Sequence, residues 1–167
     1  MPGTLAVRDL GRRLEFSFED LMRYHGPTSP GGVAHAFKVL ERTLPLLSPG
    51  EPPERREIAI RTAFGGPGAR DGFELVTRAV TGGRYVVDPA LARPERGRAM
   101  ERFVFELGHA GARVTLAVRD GFVTEEFVDL ARRDPRSAEE ERRLDRLKLE
   151  MCERVMATPA VDVYDVD

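Results

Sequence analysis

The sequence predicts an α+β domain of two layers, with helices packed on segregated antiparallel strands. Two observations predict it. Apolar residues recur at offsets of three and four in some stretches and alternate strictly in others. The order of these stretches is helix, helix, strand, helix, three strands, then two helices. At 167 residues, 41% apolar and 32% charged, the chain is long enough to bury one core without staples.

The elements follow in order. Residues 1–14 are read as an N-terminal extension. "SFEDLMRYHG" is a short helix with Ser17 as N-cap and Asp20 three residues on. "GVAHAFKVLERTL" places Val33, Phe37, Leu40 and Leu44 on one stripe, and Pro45 is expected to end that helix. "SPGEPPERR" is a loop, and Ile58, Ile60, Thr62 and Phe64 alternate as a strand. "GGPGA" breaks the strand; "RDGFELVTRAVTG" is a helix capped by Asp71 with Phe73, Val76 and Val80 inward. "RYVVD" is a strand stopped by Pro89, and the Arg-rich "PALARPERGRA" is a mobile surface loop. "RFVFEL" and "RVTLAVRD" are strands joined through "GHAGA", a hairpin somewhat longer than two residues, with His109 in its turn. Thr124 caps the next helix, with Val123 stapled onto Val128. Ser137 and Glu140 form a capping box at the start of the last, whose stripe is Leu144, Leu147, Met151 and Val155. The tail "PAVDVYDVD" either adds an edge strand or docks on a neighbouring copy of the chain. Residues 137–167 thus form a C-terminal helix and tail on a single domain.

Composition excludes several functions. The net charge of −2, from 26 basic and 28 acidic residues, gives no field that favours nucleic acid or an anionic membrane. Cys152 is the only cysteine, so neither an internal disulfide nor a thiolate-rich metal cluster can form. It falls beside Met151 and Val155 and reads as a small buried hydrophobe. No apolar run reaches membrane-spanning length and the N-terminus has no signal-peptide core, so a cytoplasmic location is expected.

The chemistry-bearing stretches are two turns, "HGPTSPGG" (25–32) and "GGPGARDG" (65–72). Each runs into a helix whose first N–H groups form a natural anion receptor. The second is not a Walker motif, since no Gly-Lys-Ser/Thr is present. It is a weak dinucleotide fingerprint, because Asp71 fills the third glycine position and no full βαβ unit is expected after it. The competing reading is structural. Glycine and proline serve any tight reversal, and His25 then merely hydrogen-bonds a buried carbonyl. His35 lies off the apolar stripe and is expected at the surface or against a neighbour.

"HGPTSPGG" before a helix, then "FGGPGARDGFELVTRAVTGGRYVVD" and a β-hairpin, resembles the family of the E-type subunit of formylmethanofuran dehydrogenase, from about Phe16 onward. The resemblance implies an α-β-α-β3 core, similar to the C-terminal domain of glyceraldehyde-3-phosphate dehydrogenase, here with extra C-terminal helices. It also implies a metal site built on His-Gly-His-x-Cys-Pro-Gly and two later cysteines. Here Pro27 and Ser29 replace the second histidine and first cysteine, and Gly68 and Ala79 stand at the later positions. Only His25 remains as a ligand, so no metal and no cofactor are expected. The dehydrogenase activity in the family name is not expected either. On this mapping Arg78 and Arg70 lie near the former metal and supply its charge to a carboxylate or phosphate. The candidate ligand-binding set is His25, Gly26, Thr28, Ser29, Gly31, Gly68, Arg70, Asp71 and Arg78. Three readings result: a metal-free protein binding a small anionic or polar molecule, a structural module forming a homodimer, and an enzyme with His25 as general acid or base.

Overall fold

A computed structural model describes residues 3–167. Within them lie six helices, a five-stranded mixed sheet and a two-stranded hairpin. The N-terminal extension, whose first two residues lie outside the described ones, forms the hairpin of β1 (Leu5–Asp9) and β2 (Arg12–Phe16). Leu10 and Gly11 close it at φ of 51° and 83°. Two successive positive φ values match the twist of a tight hairpin. Leu5 and Val7 alternate inward onto the core, and the Glu54 carboxylate accepts from the turn amides of Leu10 and Gly11.

The first two helices are α1 (Phe18–His25) and α2 (Pro30–Leu47), and Ser17 and Asp20 form the expected capping box on α1. Pro45 does not end α2. It costs one hydrogen bond in the last turn, while buried Leu44 and Leu47 hold that turn in place. The chain continues through β3 (Ala59–Thr62), α3 (Pro67–Thr77), β4 (Tyr85–Val87), β5 (Val104–His109) and β6 (Ala112–Val118). It ends with α4 (Glu125–Arg132), α5 (Ala138–Met156), α6 (Ala160–Val163) and β7 (Tyr164–Val166).

The sheet order is β4-β3-β5-β6-β7. β4 runs parallel to β3 and the other pairs are antiparallel, so β3, α3 and β4 make the βαβ unit that the sequence reading denied. The β5–β6 hairpin has a two-residue turn at Ala110 and Gly111, shorter than expected, because Ala110 accepts a φ of 49°. His109 is therefore the last residue of β5, not part of the turn. The tail takes the first of its two options, with β7 zipped onto β6.

α2 is buried on nearly every side, wider than the single predicted stripe, because α3, α5 and the sheet all pack on it. His35 accordingly lies in the core and not at the surface. Its Nδ1 is 2.7 Å from the Tyr164 hydroxyl, and its ring packs 4.9 Å from that of Phe103. Burial pushes the Tyr164 phenol well above its ordinary pKa, and His35 Nε2 is left buried without a partner. Val80 falls beyond the end of α3 and is exposed. Segment 89–99, expected to be a mobile loop, is folded into two 3-10 turns and tied down. Arg93 pairs with Asp167, and Arg96 donates to the Val118 carbonyl at 2.6 Å. No helix among the described residues is long and apolar enough to cross a membrane.

Burial, with a smaller contribution from Arg154, pushes the His35 pKa down to about 3. An unfolded imidazole titrates near 6.5, so the unfolded chain takes up the proton first as pH falls. This group's stability contribution is complete above about pH 6.5 and is lost progressively below it, about 2 kcal/mol by pH 5. Urea denaturation at pH 7 and 5 should show that loss in the wild type and a correspondingly shallower slope in His35→Gln.

Candidate functional site

The corner between α1 and α2 is built by polar contacts that cross to α3. Gly26 ends α1 at φ 88°, a conformation that side chains disfavour. His25 Nδ1 lies 2.8 Å from the Asp71 carboxylate, and its Nε2 is 3.3 Å from the Thr28 hydroxyl. The carboxylate accepts from Nδ1–H, and in a neutral imidazole Nε2 is then left to accept from Thr28. The His25 side chain is only 4% exposed. Its partner is a carboxylate on another helix, not the buried carbonyl of the structural reading.

Asp71 is not an N-cap. α3 starts at Pro67 with Gly66 as its cap, so Asp71 sits in the second turn and its carboxylate turns to α1. It therefore does not compete with an anion for the first amides of α3.

Glycines bring three helices together at the start of α2. A Cβ on Gly68 would lie 2.4 Å from the Ser29 carbonyl oxygen and 3.0 Å from the Val33 nitrogen, and one on Gly32 would lie 3.1 Å from the Ala69 nitrogen. α2 and α3 thus abut backbone to backbone. Gly31, expected as a ligand residue, faces the other way and packs on α5, where a Cβ would meet Met151 Sδ at 2.8 Å.

Beside this contact lies a cavity of about 400 Å3. Ser29 and Gly32 at the start of α2 and Gly66 and Gly68 at the start of α3 form one side. Phe64, Phe103 and Phe127 form an apolar wall, with the first two rings stacked at 4.3 Å. The Thr62 hydroxyl, accepting from the Phe64 amide and donating to Val104 O, fixes the chain where Phe64 leaves β3. Arg98, Arg102, Arg132, Arg136 and Lys148 also line the cavity, and no Asp or Glu does.

The two helices that open on this cavity differ from the other long helices. α1, α4 and α5 each have a side-chain cap from Ser17, Thr124 or Ser137, with carboxylates in the first turn. α2 and α3 have neither a capping side chain nor an acidic residue there. The first amides of a helix have no carbonyl partner, and they carry the positive end of its dipole. At both starts that potential is unanswered by the chain.

The structure brings Ser29 and Gly68 to the cavity. It sets His25, Thr28 and Asp71 in a hydrogen-bonded chain behind it and leaves the two arginines elsewhere. Arg70 is exposed, 3.7 Å from the Asp71 carboxylate. Arg78 caps the far end of α3 in the left-handed conformation, 3.7 Å from Glu74. Since α3 is about 16 Å long, Gly68 and the buried Ala79 stand at opposite ends of it.

The metal implied by the resemblance does not fit these residues. His25 has one ring nitrogen on Asp71, positions 29, 68 and 79 offer no strong donor, and two of them are far apart. Among the described residues no three His, Cys, Asp or Glu side chains are grouped to hold a metal ion. Burial, then Glu153, pushes the Cys152 thiol up to about 11, which disfavours the reactive thiolate.

Sequence reasoning missed the cavity's cations and its aromatic wall. The cations come from segment 88–102, α4, the α4–α5 connection and α5, with nothing local to mark them as partners of residues 29 and 68. The one available signal was the missing caps of "SPGG" and "GGPG" beside three well-capped helices. Compared with known proteins, the chain matches no family model and no curated protein.

Gly68→Ala forces apart two backbones rather than a flexible side chain. Overpacking of this kind costs on the order of 1–3 kcal/mol. Urea denaturation should show a loss in that range, whereas Gly3→Ala, with nothing within 4 Å, should be close to neutral.

Proposed function

We propose that this protein binds a small organic anion in the cavity between the starts of α2 and α3. One observation carries the reading: five cationic side chains and two uncapped helix starts line a cavity that contains no carboxylate. Oriented amides and guanidinium groups recognise carboxylate and phosphate oxygens strongly where water is partly excluded. The site uses Ser29 and Gly68 of the expected set, while His25, Asp71 and Thr28 hold the corner that presents Ser29.

A distant relationship to the formylmethanofuran dehydrogenase E-type family is proposed with it, as a metal-free form. What supports it is the element order from α2 to β6 (helix, strand, helix, three strands), together with the quoted turns. A homodimer loses its original rationale. The α5 stripe is buried against its own chain, and the tail pairs with β6.

A catalytic reading rests on a separate observation, the Asp71–His25–Thr28 alignment of carboxylate, imidazole and exposed hydroxyl. If it holds, the protein hydrolyses an activated ester, and the turnover disappears in both His25→Gln and Thr28→Val. Turnover that survives either substitution counts against it.

The binding reading is tested with inorganic phosphate as probe. At 10 mM ligand and a millimolar Kd, linkage gives about 1.4 kcal/mol, or roughly 3–5 °C in Tm. That rise should exceed the rise in sodium chloride of equal ionic strength and should largely vanish in the double variant Arg102→Glu, Lys148→Glu. Equal response to both salts, or an unchanged response in the variant, contradicts the reading.

A further inference from the structure

We infer that the ligand is a phosphate monoester carrying a flat apolar group, such as an aromatic ring. This rests on the binding reading above and narrows it by charge, shape and size.

Charge comes first. Three of the five cations are already answered by carboxylates outside the cavity. Arg98 pairs with Asp129 and Glu125, Arg132 with Glu101, and Arg136 with Glu141. Arg136 also donates to the last carbonyls of α4, which fixes it as a structural cap. Arg102 has no carboxylate partner among the described residues. Lys148 has none either, and donates only to the Thr28 carbonyl, at 3.2 Å. Two cations without a carboxylate partner therefore line the cavity, and two helix starts each add about half a charge. A carboxylate or phosphodiester brings one negative charge; a phosphate monoester brings close to two at neutral pH.

The donors also favour a group with several acceptor oxygens. The helix amides, the Ser29 hydroxyl (which makes no capping bond), Lys148 and Arg102 lie on different elements around the cavity. A phosphate offers three terminal oxygens to such a set, whereas a carboxylate is planar and offers two.

The aromatic wall argues against a bare inorganic ion. Phe64 and Phe103 stack with an interplanar angle of 26°, Phe127 stands beside them, and Val128 and Leu144 extend the apolar surface. A ring laid there removes its own apolar face from water. Volume sets the upper limit. About 400 Å3 is near the small end of ligand pockets and suits a phosphorylated ring rather than a dinucleotide. No acidic residue lines the cavity to read a ribose hydroxyl, which also disfavours the dinucleotide.

The test is isothermal titration of the wild type at pH 7.5 with four probes: phenyl phosphate, methyl phenyl phosphate, benzoate and inorganic phosphate. Phenyl phosphate should bind at least tenfold more tightly than each of the other three. Arg102→Met and Lys148→Met, checked for folding by circular dichroism, should each weaken phenyl phosphate about tenfold. They should reduce its advantage over the monoanionic diester. Should methyl phenyl phosphate or benzoate equal phenyl phosphate, the dianion is wrong and the broader anion reading stands. Should inorganic phosphate equal it, the aromatic body is wrong and the broader reading again stands. Binding of phenyl phosphate that neither methionine variant weakens overturns the placement in this cavity. Failure of all four probes overturns both readings.

Discussion

Two helix starts can abut only where neither carries a Cβ, and the rest of this molecule is arranged around that contact. A Cβ on Gly68 of α3 would collide with the Ser29 carbonyl oxygen, and one on Gly32 of α2 would crowd the Ala69 nitrogen at 3.1 Å. Gly31 repeats the device toward α5. α2 is thereby drawn into the centre, flanked by α3 and α5 and laid on the sheet. The same contact brings two sets of unpartnered amides to one place, and a cavity forms where the converging elements leave a gap.

Polar contacts hold the contact in register. His25 reaches from the end of α1 to Asp71 on α3, so the turn between α1 and α2 cannot move without breaking a shielded hydrogen bond. At the opposite end of α3, Arg55 donates to the Leu75 and Val76 carbonyls, and Arg84 to the Thr77 and Arg78 carbonyls. These guanidinium groups answer the negative end of the helix that its own sequence leaves open. The chain thus supplies side-chain partners to the C-terminal end of α3 and none to its N-terminal end.

The core carries one polar connection of consequence, from His35 on α2 to Tyr164 on the final strand. It joins residues 129 positions apart and explains why the tail belongs to the fold. Kept neutral by burial, the imidazole acts as a shaped, hydrogen-bonding core residue.

Local chemistry was sufficient for much of the architecture. The caps at Ser17, Thr124 and Ser137, the stripes of α2 and α5, and the alternation in β3, β5 and β6 depend on neighbours within a few residues, so the sequence alone determined them. What only tertiary structure decided depends on distant partners. Pro45 stays inside α2 because the surrounding core holds its last turn. His35 is buried because β7 returns to meet it. Leu5 and Val7 become a strand because the core accepts them, and β4 lies parallel to β3 because α3 crosses over. The site divides the same way. Glycine-rich helix starts at residues 29–32 and 65–68 were legible, whereas their pairing, and the arrival of Arg102 and Lys148 opposite them, required the chain to fold.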